Sequence, residues 1–276
     1  MMAEIKSVNS HLWVFFLTTF TWSWFFWILQ VLDSYQVIFS PLPTNLADIL
    51  GVFGPSLAAI ILTRIYSGKK GVLELFRRIL LWRVGVKWYL FVLAWPAILS
   101  LLTTGIHILT GGLTPDFANP PIYILYPLPP EAQSFGILPM ILLVFLQQTF
   151  LGSSMGEEIG WRGYALPRLL RNQNPIFSSL ILGVIWGMWH LPRFFIQGTP
   201  LVLNIWFFLE IMADTIIFTW IYYNTKGSLL MALLFHTSIT CTSLFLTPSS
   251  AHPSIDFALK VVLIVLLLKG SVKSQH

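Results

Sequence analysis

A chain of 276 residues that is 56% hydrophobic and 10% charged, with 12 Trp and 22 Phe, cannot cover its own surface with polar groups, since soluble domains carry roughly a quarter charged residues. Lipid must be its solvent, and no polar stretch is long enough to fold apart, so a single integral membrane domain over residues 1–276 is expected. The net charge of +5 is small and one-sided, which fits topology and anionic lipid and excludes nucleic-acid binding; the single cysteine, Cys241, excludes an intrachain disulfide and a multi-cysteine metal site.

Apolar runs of spanning length, about 20 residues each, follow in order. The first, His11–Leu32, is too long for a cleavable signal peptide and lacks a small-residue cleavage site. The second, Leu46–Tyr66, holds "GVFGPSLAAI", whose Gly/Pro kink and small residues favour close helix packing. Trp88–Leu109 is the third, and the fourth runs from Phe135 past Gly152. Then come Ile176–Ile196, Val202–Tyr223 and Gly227–Leu246, and a short last run, Ile255–Leu268, interrupted by Lys260. The fold class expected is therefore all-α, a polytopic membrane helix bundle of about eight transmembrane helices, with seven as the alternative.

The connections orient the bundle. Lys69, Lys70, Arg77, Arg78, Arg83 and Lys87 fall between spans two and three, Arg168 and Arg171 after span four, Lys226 after span six, and Lys269 and Lys273 in the tail. The opposite loops, Ser34–Asn45, the proline-rich Gly111–Ser134 and Thr247–Ser254, contain no Lys or Arg. Only Arg193 breaks the pattern. The positive-inside rule then predicts a multi-pass protein of the cell membrane with both termini cytoplasmic, and the even count this requires favours eight spans. In "GVLELFRRILLWRVGVKWYL", Leu73, Leu75, Phe76, Ile79 and Leu80 make an apolar stripe with the arginines off it. That is the pattern of an interfacial helix on anionic headgroups, or of a plain loop anchoring span three. No internal repeat is visible, which weighs against a transporter or proton channel built on inverted repeats.

Ionisable groups inside spans are expensive and are functional candidates by default. "GSSMGEEIGWRGYALPRLL" puts Glu157, Glu158 and Arg162 in one of them. Glu158 and Arg162 are i,i+4 on one helix face and can pair, whereas Glu157 points about 100° away. The hairpin turn between spans four and five falls in "RNQNP". Glu157 lies 16 residues before Gln173 and His190 lies 17 after it, so straight helices would set them level, ~24 Å from the turn. His236 lies ten residues into span seven from Lys226, with Thr240 one turn on. A carboxylate, two imidazoles and a hydroxyl can bind a metal or activate water. Glu210 and Asp214, i,i+4 on span six, imply that one is protonated or that a cation sits between them. Trp161, Trp186, Trp189, Phe194 and Phe195 read as packing and interface anchors, and His107 reads as structural.

"EEIGWR", "WGMWH" and "HTSIT" resemble, in order and on separate spans, the EExxxR, FxxxH and HxxxN/D motifs of the CAAX prenyl protease type II family, also called the abortive-infection or CPBP (CAAX protease and bacteriocin-processing) family. The resemblance covers residues 135–246, the expected protease core. Trp186 stands where the family has phenylalanine and Thr240 where it has Asn or Asp.

The resemblance implies an intramembrane endopeptidase acting on a peptide or protein substrate at the lipid bilayer. Glu157 would be the general base, His190 would share the activated water, and His236 with Thr240 would stabilise the oxyanion. Glu158 and Arg162 would be structural support. Either water alone is activated, or Glu157, His190 and His236 ligate Zn²⁺ with one position open. Relatives linked to bacteriocin self-protection leave a catalytically silent scaffold or immunity protein as the alternative function.

Overall fold

The computed structural model describes residues 2–125, 136–197, 201–246 and 252–273. All regular structure among the described residues is helical: α1 Met2–Ser34, α2 Thr44–Val52, α3 Gly54–Arg77, α4 Val86–Leu109, α5 Pro121–Leu125, α6 Ile137–Phe150, α7 Ser153–Gly160, α8 Leu166–Leu169, α9 Pro175–Trp189, α10 Leu191–Gln197, α11 Leu201–Asn224, α12 Leu229–Phe245 and α13 Pro253–Lys273. Short 3₁₀ and π turns join some of them. Parts of the expected external loops, residues 126–134 and 247–251, and the start of span four at Phe135, lie outside the described residues.

Apolarity is distributed as a lipid solvent demands. Large side chains face outward, among them Trp13 (72% exposed), Leu17 (70%) and Leu138 (75%), while Glu158 and Arg162 are fully buried. The interior also packs Trp27, Trp161, Trp189, Tyr164, Phe15 and Phe218 with almost no exposure. The bundle is thus an all-α polytopic membrane protein.

All eight expected spans are helical, but length and apolarity alone pick out five: His11–Ser34, Val86–Leu109, Ile137–Leu169, Pro175–Ile196 and Val202–Asn224. The pair Thr44–Val52 and Gly54–Leu80, bent by 41°, makes a sixth. The other two differ for physical reasons. Leu229–Phe245 has 17 residues, about 26 Å of helix against a hydrocarbon core of about 30 Å. In α13, Asp256, Lys260 and Lys269 put three charged residues within one spanning length of helix. The charges of the first two turn inward, where Lys260 is 6% exposed and its Nζ lies 3.2 Å from Asp256.

Span four is not one straight helix. It breaks at Leu151–Gly152, resumes as α7, and then passes through a π turn at Trp161–Ala165. Two glycines seat α7 on the start of the second span. A Cβ on Gly156 would stand 2.9 Å from the Val52 carbonyl oxygen, and one on Gly160 would stand 2.6 Å from the Pro55 carbonyl group. This Gly-x-x-x-Gly spacing lets the backbones approach with Glu157 and Glu158 between the two contacts. The hairpin that follows is capped as its sequence suggests: the Asn174 side chain accepts from Phe177 N at 2.9 Å, with Pro175 in the first turn of α9.

The basic segment turns off the second span at Gly68, whose backbone is left-handed (φ 65°). Leu75 is buried and the Arg78 Nη1 donates to the Tyr222 hydroxyl at 3.0 Å, so one face holds the bundle. Leu73, Phe76 and Leu80 stay exposed beside Lys69, Lys70 and Arg77, the composition of a helix lying at a headgroup surface. Arg193, the exception to the charge pattern, forms an ion pair with Asp48 at 3.4 Å and faces the Trp27 ring at 5.4 Å.

Because the contacts at Gly160 are with backbone, they cannot yield. Gly160→Ala is expected to destabilise the folded protein by about 1–3 kcal/mol, the usual cost of overpacking. Thermal unfolding in detergent micelles, with Gly105→Ala as the control in open space, measures it; equal midpoints for the two variants would contradict the close-approach account.

Candidate active site

The interior charges assemble around α7 and the π turn. Glu158 Oε1 accepts two charge-assisted hydrogen bonds, from Arg162 Nη1 at 2.9 Å and from His236 Nδ1 at 2.7 Å. The expected i,i+4 pair is therefore present, and it extends across to α12. Glu158 is more than a partner for Arg162: by accepting from Nδ1 it sets the orientation of His236 and leaves Nε2 as the nitrogen facing outward from the pair. The Arg162 guanidinium lies over the faces of Phe218 at 3.8 Å and Trp186 at 4.3 Å. Those rings cover the sides of a cation whose Nε and Nη2 have no hydrogen-bond partner among the described residues.

Glu157, one residue earlier, has a separate set of contacts. Its Oε2 accepts from the Trp186 indole Nε1 at 2.6 Å and from the Trp161 Nε1 at 3.3 Å. Oε1 takes no hydrogen bond among the described residues. The side chain is 2% exposed. The roughly 100° offset between adjacent helical residues thus separates two carboxylates with different surroundings: one shared by cations, one held by two neutral donors.

His190 follows α9 and its Nδ1 lies 2.8 Å from the Trp186 carbonyl oxygen. A carbonyl can only accept, so Nδ1 carries the proton and Nε2 presents a lone pair when the ring is neutral. The ring is boxed by Trp189 at 4.8 Å, Phe207 at 5.2 Å and Trp186 at 5.9 Å. His236 meets Trp186 edge-on at 5.8 Å. Trp186 therefore touches Glu157, His190, His236 and Arg162, while no direct hydrogen bond joins Glu157 to either imidazole among the described residues. Glu157 reaches Trp186, one turn nearer the hairpin turn than His190. The first arm of the hairpin winds five residues as a wider π turn, which rises less than the straight α-helix behind the level placement of Glu157 and His190.

Thr240 lies one turn beyond His236, half-buried, and its hydroxyl makes no hydrogen bond among the described residues. Its neighbour Thr237 instead ties α12 to the break in span four, through Thr149 at 3.0 Å and Ser154 at 2.8 Å. Sequence reasoning took Trp161 and Trp186 for packing anchors; their hydrogen bonds to Glu157 were missed. The available signal was the i,i+4 spacing of Glu157 and Trp161, and the tryptophan at a position where the resembling family has a residue without a donor.

A second polar group lies between α4, α11, α12 and α13. Lys260 Nζ stands 3.0 Å from Asp214, 3.2 Å from Asp256 and 3.9 Å from Glu210. Protonation of one acid or a cation between Glu210 and Asp214 was expected; a lysine of the last helix stands beside both. The four line a cavity of about 370 Å³ with Trp95, Trp206 and Phe207 among its walls.

The bundle and its interior define a class: a polytopic membrane protein with paired glutamates, an arginine and two histidines enclosed by its helices. Residues 134–242 match the protein family described as type II CAAX prenyl endopeptidase Rce1-like. Over 111 residues the chain is 33% identical to CAAX prenyl protease 2 of the archaeon Methanococcus maripaludis, a match covering 37% of this chain and 39% of that relative.

The buried Glu158 pair makes a stability prediction. Glu158→Gln leaves Arg162 without its counter-charge at full burial and should cost on the order of 3 kcal/mol. Glu157→Gln, which keeps an oxygen for the indole donors, should leave folding nearly unchanged. Yields of monodisperse protein and thermal midpoints of the two variants check it; equal losses would contradict the assignment.

Proposed function

We propose that this chain is an intramembrane endopeptidase that hydrolyses a peptide bond near the membrane with water activated by Glu157 and His190. The observation that carries the reading is the state of Glu157: a buried carboxylate whose Oε2 is fixed by two indole donors and whose Oε1 takes no hydrogen bond among the described residues. Such a group is oriented, poorly hydrated and open to one further hydrogen bond, as a general base requires. The family match over residues 134–242 supports a protease, and the name of the archaeal relative supports a CAAX-type one.

In this reading Glu157 Oε1 takes a proton from water as its oxygen bonds to the scissile carbonyl carbon. His190 Nε2 holds the same water by accepting its second hydrogen. His236 Nε2 and the Thr240 hydroxyl donate to the carbonyl oxygen as it becomes negative. The C–N bond then breaks and the proton on Glu157 passes to the departing amine, so the base returns ionised. No step is routed through zinc. Among the described residues no three His, Cys, Asp or Glu side chains are grouped to hold a metal ion, and Glu157 reaches two indoles instead of either imidazole. The substrate is a membrane-associated peptide or protein, and the basic connections support a multi-pass protein of the cell membrane with both termini on the cytoplasmic side.

Thr240 separates this reading from a catalytically silent scaffold or immunity protein. A hydroxyl offers one donor where an asparagine offers two. With a quenched peptide library and protein in liposomes, Glu157→Gln should abolish cleavage. Thr240→Val should cut kcat ~10²-fold with KM little changed, as loss of an oxyanion donor does, and Thr240→Asn should match or exceed wild type. Full activity in Thr240→Val would remove the hydroxyl from the chemistry. No cleavage by either wild type or Thr240→Asn would favour the silent protein.

A further inference from the structure

Trp186, which touches Glu157, His190, His236 and Arg162, stands where the resembling family pattern has phenylalanine. A phenylalanine could supply the ring faces that meet Arg162 at 4.3 Å and His236 at 5.8 Å. It could not supply the Nε1 donor at 2.6 Å from Glu157 Oε2. The second donor on that oxygen, Trp161 Nε1, is longer at 3.3 Å, and it comes from the helix that carries Glu157, four residues on. Among the described residues, only Trp186 donates to this carboxylate from another helix. Its backbone also binds the His190 Nδ1 at 2.8 Å, so one residue of α9 orients both the base and the imidazole that shares its water.

We infer that the Trp186 indole N–H is a positioning residue specific to this chain, holding Glu157 by Oε2 so that Oε1 is presented to water at a set angle to His190. This rests on the proposed peptidase reading for its consequence, though the hydrogen bond itself does not. A carboxylate on two flexible methylenes has several rotamers. An angular tether from a rigid, buried ring selects one, and displacement of a reacting group by about 1 Å can cost ~10² in rate. The effect belongs in kcat, because the indole touches the base and not the substrate.

Two substitutions and one spectrum test it. Trp186→Phe restores the family's residue and removes the donor together with part of the ring. Replacement of Trp186 by β-(3-benzothienyl)alanine keeps the bicyclic shape and removes the N–H alone. Both forms should lose ~10² in kcat with KM within about twofold of wild type. Should the Phe form fail to fold, the isosteric form carries the comparison. A benzothienyl form that turns over like wild type would show that ring shape alone matters and would overturn the inference. The hydrogen bond is read independently from the indole ¹H–¹⁵N resonance that disappears in Trp186→Phe. It should lie downfield in wild type and move upfield in Glu157→Gln, whose neutral amide is the weaker acceptor. An unmoved resonance would overturn the inference whether or not the protein cleaves peptides; a moved resonance without any wild-type cleavage would sink the peptidase reading and leave the tether standing.

Discussion

One buried carboxylate organises the interior. Glu158 is fully buried, and a lone anion there would be prohibitively costly in an apolar medium. It is tolerated because two donors from different elements meet on one oxygen, Arg162 from the next helical turn and His236 from α12. The dependence runs both ways. Arg162 needs Glu158 as counter-charge and the faces of Trp186 and Phe218 as walls, and His236 needs Glu158 to fix its ring. Removing that carboxylate would free an imidazole and strand a guanidinium at once. The adjacent Glu157 has no ion pair among the described residues, the state the proposed base requires.

The same constraint explains the backbone around the site. Two consecutive glutamates can face different neighbours only if their helix is held tightly at its bare side. Gly156 and Gly160 provide this by meeting Val52 and Pro55 at backbone distance. The break at Gly152 and the π turn after Gly160 then let span four change direction on either side of α7. Helical irregularities are affordable in lipid only where neighbouring helices cover the freed backbone groups, and here the second and seventh spans do so. The cluster of Lys260 with Asp214, Asp256 and Glu210 follows a similar rule at another place in the bundle: charges are admitted where they neutralise one another.

Much of this was legible from residue order. All eight apolar runs are helices, because a membrane offers a backbone few alternatives. The Glu158–Arg162 pair followed from i,i+4 spacing and the hairpin turn from "RNQNP", while like-charge repulsion at Glu210 and Asp214 left protonation or a cation as the two outcomes. What escaped was set by contacts distant in sequence. The hydrogen bond from Trp186 to Glu157 spans 29 residues and that from His236 to Glu158 spans 78, and neither leaves a periodic trace. Tryptophan is also ambiguous by nature, an apolar body with a single polar tip, so twelve of them conceal the two that donate to a carboxylate. The interruption of the last run by Lys260 was visible, but not that its charge turns inward to Asp214 and Asp256.

The central claim is that chemistry happens at Glu157 and not at the other polar cluster. The most direct measurement is a structure of the protein in lipid with a bound peptide carrying a phosphinate in place of the scissile bond, a mimic of the tetrahedral state. One phosphinate oxygen is predicted about 2.6–3.2 Å from Glu157 Oε1, with the other facing His236 Nε2 and Thr240. A phosphinate seated instead in the cavity beside Lys260, with Glu157 untouched, would contradict the account.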